Sequence, residues 1–247
     1  MNFYNSILFF IKNQQKKLPF TEAVLLFLVF FFPGYLYQNA EFSFQVMFTP
    51  GFHLTSLLFT LPQLLLLLYI LHLRNGEILQ VYGIASFRLS YLPPGLLLFA
   101  VLCAVTFTLG LLSHLLGSFT GIELVNPAVP TGAGGDVDYR VFTSYPLLPL
   151  YILGTSMLTG YFEELFFRVY LIAEFSSSPA GIPGIIGISS LLFAAGHLYQ
   201  GLIGAMGTFL IGMILAFLYV RRRNWHEIAI AHGLYNFTMI MLMPLAA

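Results

Sequence analysis

Charged side chains make up only 8% of the 247 residues, against about 25% in a typical soluble domain. A chain so poor in charge cannot clothe a water-facing surface, which excludes an ordinary soluble enzyme and a disordered tail. Ten Lys/Arg balance ten Asp/Glu, so there is no net positive field of the kind a nucleic-acid binder needs. The single cysteine, Cys103, lies among Val101, Leu102, Ala104 and Val105. One thiol excludes a disulfide framework and any Cys-based zinc site. What the chain has in abundance is apolar: 58% hydrophobic and 17% aromatic residues, with a mean hydropathy of +0.86. These proportions identify a polytopic membrane protein.

A spanning helix needs about 20 largely apolar residues, and seven stretches qualify: 20–37, 53–73, 92–117, 146–172, 183–200, 201–220 and 227–245. Leucine runs such as Leu64 to Leu68 do not alternate in polarity as barrel strands would. The expected fold is therefore all-α, a polytopic bundle of about seven transmembrane helices forming one integral membrane domain over 1–247. An N-terminal interfacial helix is expected within 1–18, ending on Lys12, Lys16 and Lys17. No basic segment precedes its apolar stretch and no small-residue cleavage site follows, unlike a secretory leader. The segment 118–145, with Asn126-Pro127 and Gly132-Ala133-Gly134-Gly135, is expected to be an irregular loop, a connector or a lid.

Basic residues set the expected orientation. With a cytosolic N-terminus, Lys12, Lys16, Lys17, Arg74, Arg88, Arg221, Arg222 and Arg223 all fall on the cytosolic side. The far side receives only Arg140, beside Glu123, Asp136 and Asp138. The expected topology is N-terminus cytosolic and C-terminus outside.

Three charges lie inside the fourth span: Glu163, Glu164 and Arg168. A charge at the bilayer centre costs from about 2.5 kcal/mol upward and marks function by default. Arg168 follows Glu164 by four residues, so the two share a helical face as an ion pair. Glu163 is turned about 100° away and is the less neutralised acid. Ser156, Thr159 and Gly160 share its stripe, which would leave room for water or a peptide backbone. A buried cluster that only locks helices together, or a proton-carrying carboxylate, would use the same residues.

Two histidines join this set. His197 lies near the end of the fifth span, and His232 near the start of the seventh, four residues before Asn236. Taken singly, each is more often a hydrogen-bonded interior histidine. His53, His72, His114 and His226 lie close to span ends, where interfacial roles suffice. At about 1.5 Å per residue, Glu163 lies about 14 Å from the cytosolic end of its span, His197 about 20 Å, His232 about 7 Å and Asn236 about 13 Å. Convergence is permitted by that scatter. The chemistry these groups support is hydrolysis by water: a carboxylate takes the proton, an imidazole assists, and donors meet the oxyanion. Ser189 and Ser190 lack a nucleophile elbow, and no HExxH helix is present. In the sixth span Gly204, Thr208, Gly212 and Ala216 repeat every four residues, a stripe that suits close helix packing.

Glu163-Glu164-x-x-x-Arg168, Phe193-x-x-x-His197 and His232-x-x-x-Asn236 fall in this order on three spans. Together they resemble the CAAX prenyl protease and bacteriocin-processing (CPBP, or Abi) family of intramembrane endopeptidases, over about residues 145–240. The resemblance implies Glu163 as general base, His197 as its partner, His232 and Asn236 as oxyanion donors, and Glu164 with Arg168 as the supporting pair. That family has been described both as glutamate-type and as metal-dependent. No cofactor is the favoured expectation. A zinc ion, if used, would fall to Glu163, His197 and His232. The implied partners are a membrane-bound peptide or protein, prenylated CAAX-type proteins included, and the lipid bilayer. The compact length suggests a prokaryotic inner membrane. Rival expectations are a non-catalytic immunity or scaffold protein and a proton-coupled transporter using Glu163.

Overall fold

The computed structural model describes residues 20–38, 44–74, 82, 84, 86–120, 140–175 and 179–242. The interfacial helix expected within 1–18 and most of the 118–145 loop lie outside them. All seven expected spans are helical: α1 Phe20–Gln38, α2 Pro50–Arg74, α3 Leu92–Thr120, α4 Leu148–Glu164, α5 Gly181–Ala195, α6 Gly201–Arg222 and α7 Trp225–Leu242. Among the described residues there is no strand. Three stretches are long and apolar enough to cross a membrane by length and composition: Pro50–Leu73, Leu89–Thr120 and Leu202–Arg222. Leu54, Leu58 and Leu65 of α2 and Leu97, Phe107 and Leu111 of α3 stand exposed on the outside, as lipid-facing side chains do. The chain is an all-α integral membrane protein.

The fourth span is the buried one, and it does not remain α-helical. After Glu164 it continues as a π-helix, Leu165–Tyr170, and then as a last α turn, Leu171–Phe175. The Leu171 N–H bonds to the Phe166 carbonyl five residues back. All six π-helical residues are buried. Local π geometry is rare and recurs at functional sites. Here it comes directly after the two glutamates and contains Arg168. Phe27, Phe30 and Phe31 of α1 pack against Phe162, Phe166 and Phe167 with ring centroids 4.8–6.4 Å apart.

α4 and α7 run antiparallel, as alternate crossing requires of the fourth and seventh spans. Leu148 and Ile152 pack with Phe237, Ile240 and Met241 at one end, and Tyr161 bonds to His226 toward the other. Two glycines set how close the helices come. A Cβ on Gly160 would meet the Gly233 backbone nitrogen at 2.7 Å, and one on Gly233 would meet the Met157 Cα at 2.8 Å. Gly160 thus makes room for a backbone of this same chain, that of α7. On α6, Gly212, Thr208 and Ala216 are buried, and a Cβ on Gly212 would lie 3.1 Å from the Ser190 Cβ of α5. The small-residue stripe serves helix packing there.

The α6–α7 connection is two residues. Arg223 takes a left-handed conformation, φ 53°, with its N–H bonded to the Tyr219 carbonyl. The Asn224 side-chain oxygen then accepts from the His226 and Glu227 N–H groups at 3.1 and 3.3 Å, capping α7.

The α4–α7 approach yields a direct prediction. Gly160→Ala should lower stability by about 1–3 kcal/mol, as overpacking does, although alanine is the better helix former. Gly154→Ala, where a Cβ meets nothing within 4 Å, should leave stability unchanged or slightly raised. Thermal unfolding in detergent micelles checks both; equal midpoints for the two variants would contradict the close approach.

Candidate active site

The crossing of α4 and α7 brings together the polar groups that the sequence places on separate spans. Arg168 Nη1 donates to Glu164 Oε1 at 2.9 Å, and both side chains are 0% exposed. His232 Nδ1 donates to that same Glu164 oxygen at 2.7 Å. One carboxylate oxygen therefore accepts from a guanidinium on its own span and from an imidazole on another. Glu164 is more than the counter-charge of Arg168, because it also fixes the ring of His232. A carboxylate on Nδ1 assigns that nitrogen as the donor and leaves Nε2 on the opposite edge.

His232 Nε2 lies 3.5 Å from Glu163 Oε2. The Glu163 side chain is 15% exposed, and its Oε2 is buried with no hydrogen-bond partner among the described residues. The adjacent carboxylates thus differ sharply in surroundings. Glu164 is sealed, with Oε1 held by Arg168 and His232 and Oε2 buried without a partner among the described residues, while Glu163 is partly open. The depth difference of about 7 Å between Glu163 and His232 is bridged by the side chains at the glycine crossing.

His197 lies beyond the end of its helix. α5 stops at Ala195, and His197 occupies the turn before a short 3-10 stretch, Leu198–Gln200. Its Nδ1 donates to the Phe193 carbonyl at 2.8 Å, satisfying one of the orphan carbonyls at a helix C-terminus. His197 and His232 both lie against the Phe193 ring, at 4.8 and 5.5 Å between centroids, which puts His197 beside the same group. Asn236 stands one turn beyond His232 on α7, partly exposed, and makes no hydrogen bond among the described residues. The neighbouring Tyr235 hydroxyl meets Thr106 of α3 at 2.9 Å.

Among the described residues, no group of three or more His, Cys, Asp or Glu side chains is arranged to hold a metal ion. The Ser189 and Ser190 hydroxyls donate to the Phe167 and Ile186 carbonyls at 2.6 and 2.8 Å, so both are engaged in helix packing.

Two histidines expected at the interface are instead interior. His53 is buried, with Nδ1 2.9 Å from Thr155 Oγ1 and Nε2 2.8 Å from the Met47 carbonyl. His226 is buried in an aromatic nest. Tyr91 stacks on it at 5.7 Å, and the Tyr161 hydroxyl lies 3.1 Å from its Nδ1. His72 and His114 are exposed, as expected. Sequence position alone could not separate the two kinds, because burial here depends on which helix covers each ring. The Glu164–His232 bond was also missed, although one signal existed: Gly160 and Gly233 flank the polar residues of α4 and α7.

Residues 145–238 match the family model of type II CAAX prenyl endopeptidase, Rce1-like. No curated protein and no solved structure matches the chain. The matched stretch contains all three motifs, helices α4 to α6 and most of α7.

The shared carboxylate predicts an order of stabilities. Glu164→Ala strands the buried Arg168 charge and should cost about 3–5 kcal/mol. Arg168→Ala should cost less, because Glu164 keeps His232. Unfolding midpoints of the two purified variants check this, and a Glu164→Ala protein as stable as the parent would contradict it.

Proposed function

From the peptidase-family match over 145–238, we propose that the chain is an intramembrane endopeptidase that hydrolyses a peptide bond of a membrane-associated protein or peptide. Prenylated CAAX-type substrates are included. The observation that carries this reading is the contrast between adjacent carboxylates. Arg168 and His232 both donate to Glu164 Oε1 and seal that side chain at 0% exposed, while the Glu163 side chain is 15% exposed and lies 3.5 Å from His232 Nε2.

In the proposed reaction, water held at Glu163 loses a proton to the carboxylate and attacks the scissile carbonyl carbon. The resulting oxyanion accepts hydrogen bonds from the Asn236 amide and from His232 Nε2 when that nitrogen carries a proton. Glu164 holds the His232 ring by Nδ1 throughout. His197 assists Glu163 in handing the proton to the leaving nitrogen as the C–N bond breaks, which regenerates the carboxylate. The hydrocarbon surroundings strengthen each of these polar interactions relative to water.

The basic-residue bias supports an orientation with the N-terminus in the cytosol and the C-terminus outside.

A comparison of the purified parent and Glu163→Gln on a labelled prenyl-peptide and on unmodified peptides, with and without chelator, tests the proposal. Glu163→Gln should lose cleavage by about 100- to 10,000-fold while keeping the parent's unfolding midpoint. Cleavage that persists in the folded Glu163→Gln protein would overturn the assignment.

A further inference from the structure

The Phe193 ring meets Arg168 of the supporting ion pair and both histidines, His197 and His232. Its ring is 2% exposed. The Arg168 guanidinium lies over it, 4.3 Å from the centroid, a cation on the electron-rich face of an aromatic ring. The ring meets His197 at 4.8 Å and His232 edge-to-face at 5.5 Å, with an interplanar angle of 89°. The Phe193 carbonyl also accepts the His197 Nδ1 proton at 2.8 Å. Phe167 braces the ring from the π-helix at 5.2 Å.

The Arg168 geometry shows why such a ring is needed. Nη1 is taken by Glu164, but Nε and Nη2 are buried with no hydrogen-bond partner. A guanidinium with two idle donors in an apolar interior is drawn to any available acceptor. Glu164 Oε2 and Glu163 Oε2 are both such acceptors, each buried and unpartnered. The face of Phe193 engages the cation without a hydrogen bond, which leaves Glu163 open. The same ring sets the tilt of His197 and His232. A leucine fills similar space but offers neither a π-face nor a flat surface.

We propose that Phe193 is a positioning residue for the active site, holding Arg168 away from Glu163 and keeping the His197 and His232 rings in register. The proposal rests on the peptidase reading for its kinetic consequence and on geometry alone for its structural one. Phe193→Leu and Phe193→Tyr separate a π-face requirement from mere filling of space.

Both variants should fold with midpoints near the parent's. With the labelled prenyl-peptide, Phe193→Leu should lower kcat at least tenfold at a KM within about twofold, whereas Phe193→Tyr should stay within about threefold of the parent. In NMR spectra of histidine-labelled protein in micelles, the His197 and His232 ring signals should broaden or split in Phe193→Leu and remain single in Phe193→Tyr. The other four histidines should be unaffected in either. Sharp, single His197 and His232 signals in folded Phe193→Leu would overturn the proposal, as would equal kcat losses in the two variants. The ring signals answer for Phe193 even if the parent cleaves no peptide, so failure of the peptidase reading is distinguishable from failure of this one.

Discussion

A guanidinium buried in hydrocarbon cannot stand without a counter-charge, and the rest of this structure depends on how Arg168 obtains one. Glu164, one turn earlier on the same span, supplies it at 2.9 Å with both groups sealed from solvent. Breaking a buried pair by deleting one partner strands the other, so the two are retained together. That constraint has a consequence for the adjacent residue. With Glu164 committed to Arg168, a second glutamate can remain lightly engaged and open to chemistry.

The pair becomes part of a site because α4 and α7 approach through Gly160 and Gly233. At that separation His232 reaches back across the interface and places one ring nitrogen on Glu164 and the other toward Glu163. Two carboxylates on one helix thus acquire an imidazole from another. The π-helical turn after Glu164 carries Arg168 and a run of buried aromatic side chains. Those rings pack against α1 and against Phe193, so the polar cluster sits in a rigid apolar frame. Preorganised donors in a low-dielectric frame need little rearrangement as charge develops, which suits hydrolysis.

Much of the architecture was legible in the sequence, because a spanning helix must be long and apolar, as Pro50–Leu73, Leu89–Thr120 and Leu202–Arg222 are. The Glu164–Arg168 pair followed from four-residue spacing. The union of Glu164 with His232 did not follow, since depth along separate helices says nothing of crossing angle or of how far side chains lean. The two glycines that decide the approach resemble any other small residues until their partners are known. His197 was expected near the end of its span, and it lies just past the helix, where its side chain caps a carbonyl. His53 and His226 show the complementary limit: proximity to a span end does not reveal that a neighbouring helix covers the ring.

Glu164 and His232 are directly coupled across the α4–α7 crossing by the hydrogen bond at 2.7 Å. A double-mutant cycle on unfolding stability, with Glu164→Gln, His232→Gln and the double variant in the same micelles, measures that coupling. A direct buried hydrogen bond predicts an interaction energy of about 0.5–3 kcal/mol between the two sites. Single-variant losses that add to within about 0.3–0.5 kcal/mol of the double variant would contradict it.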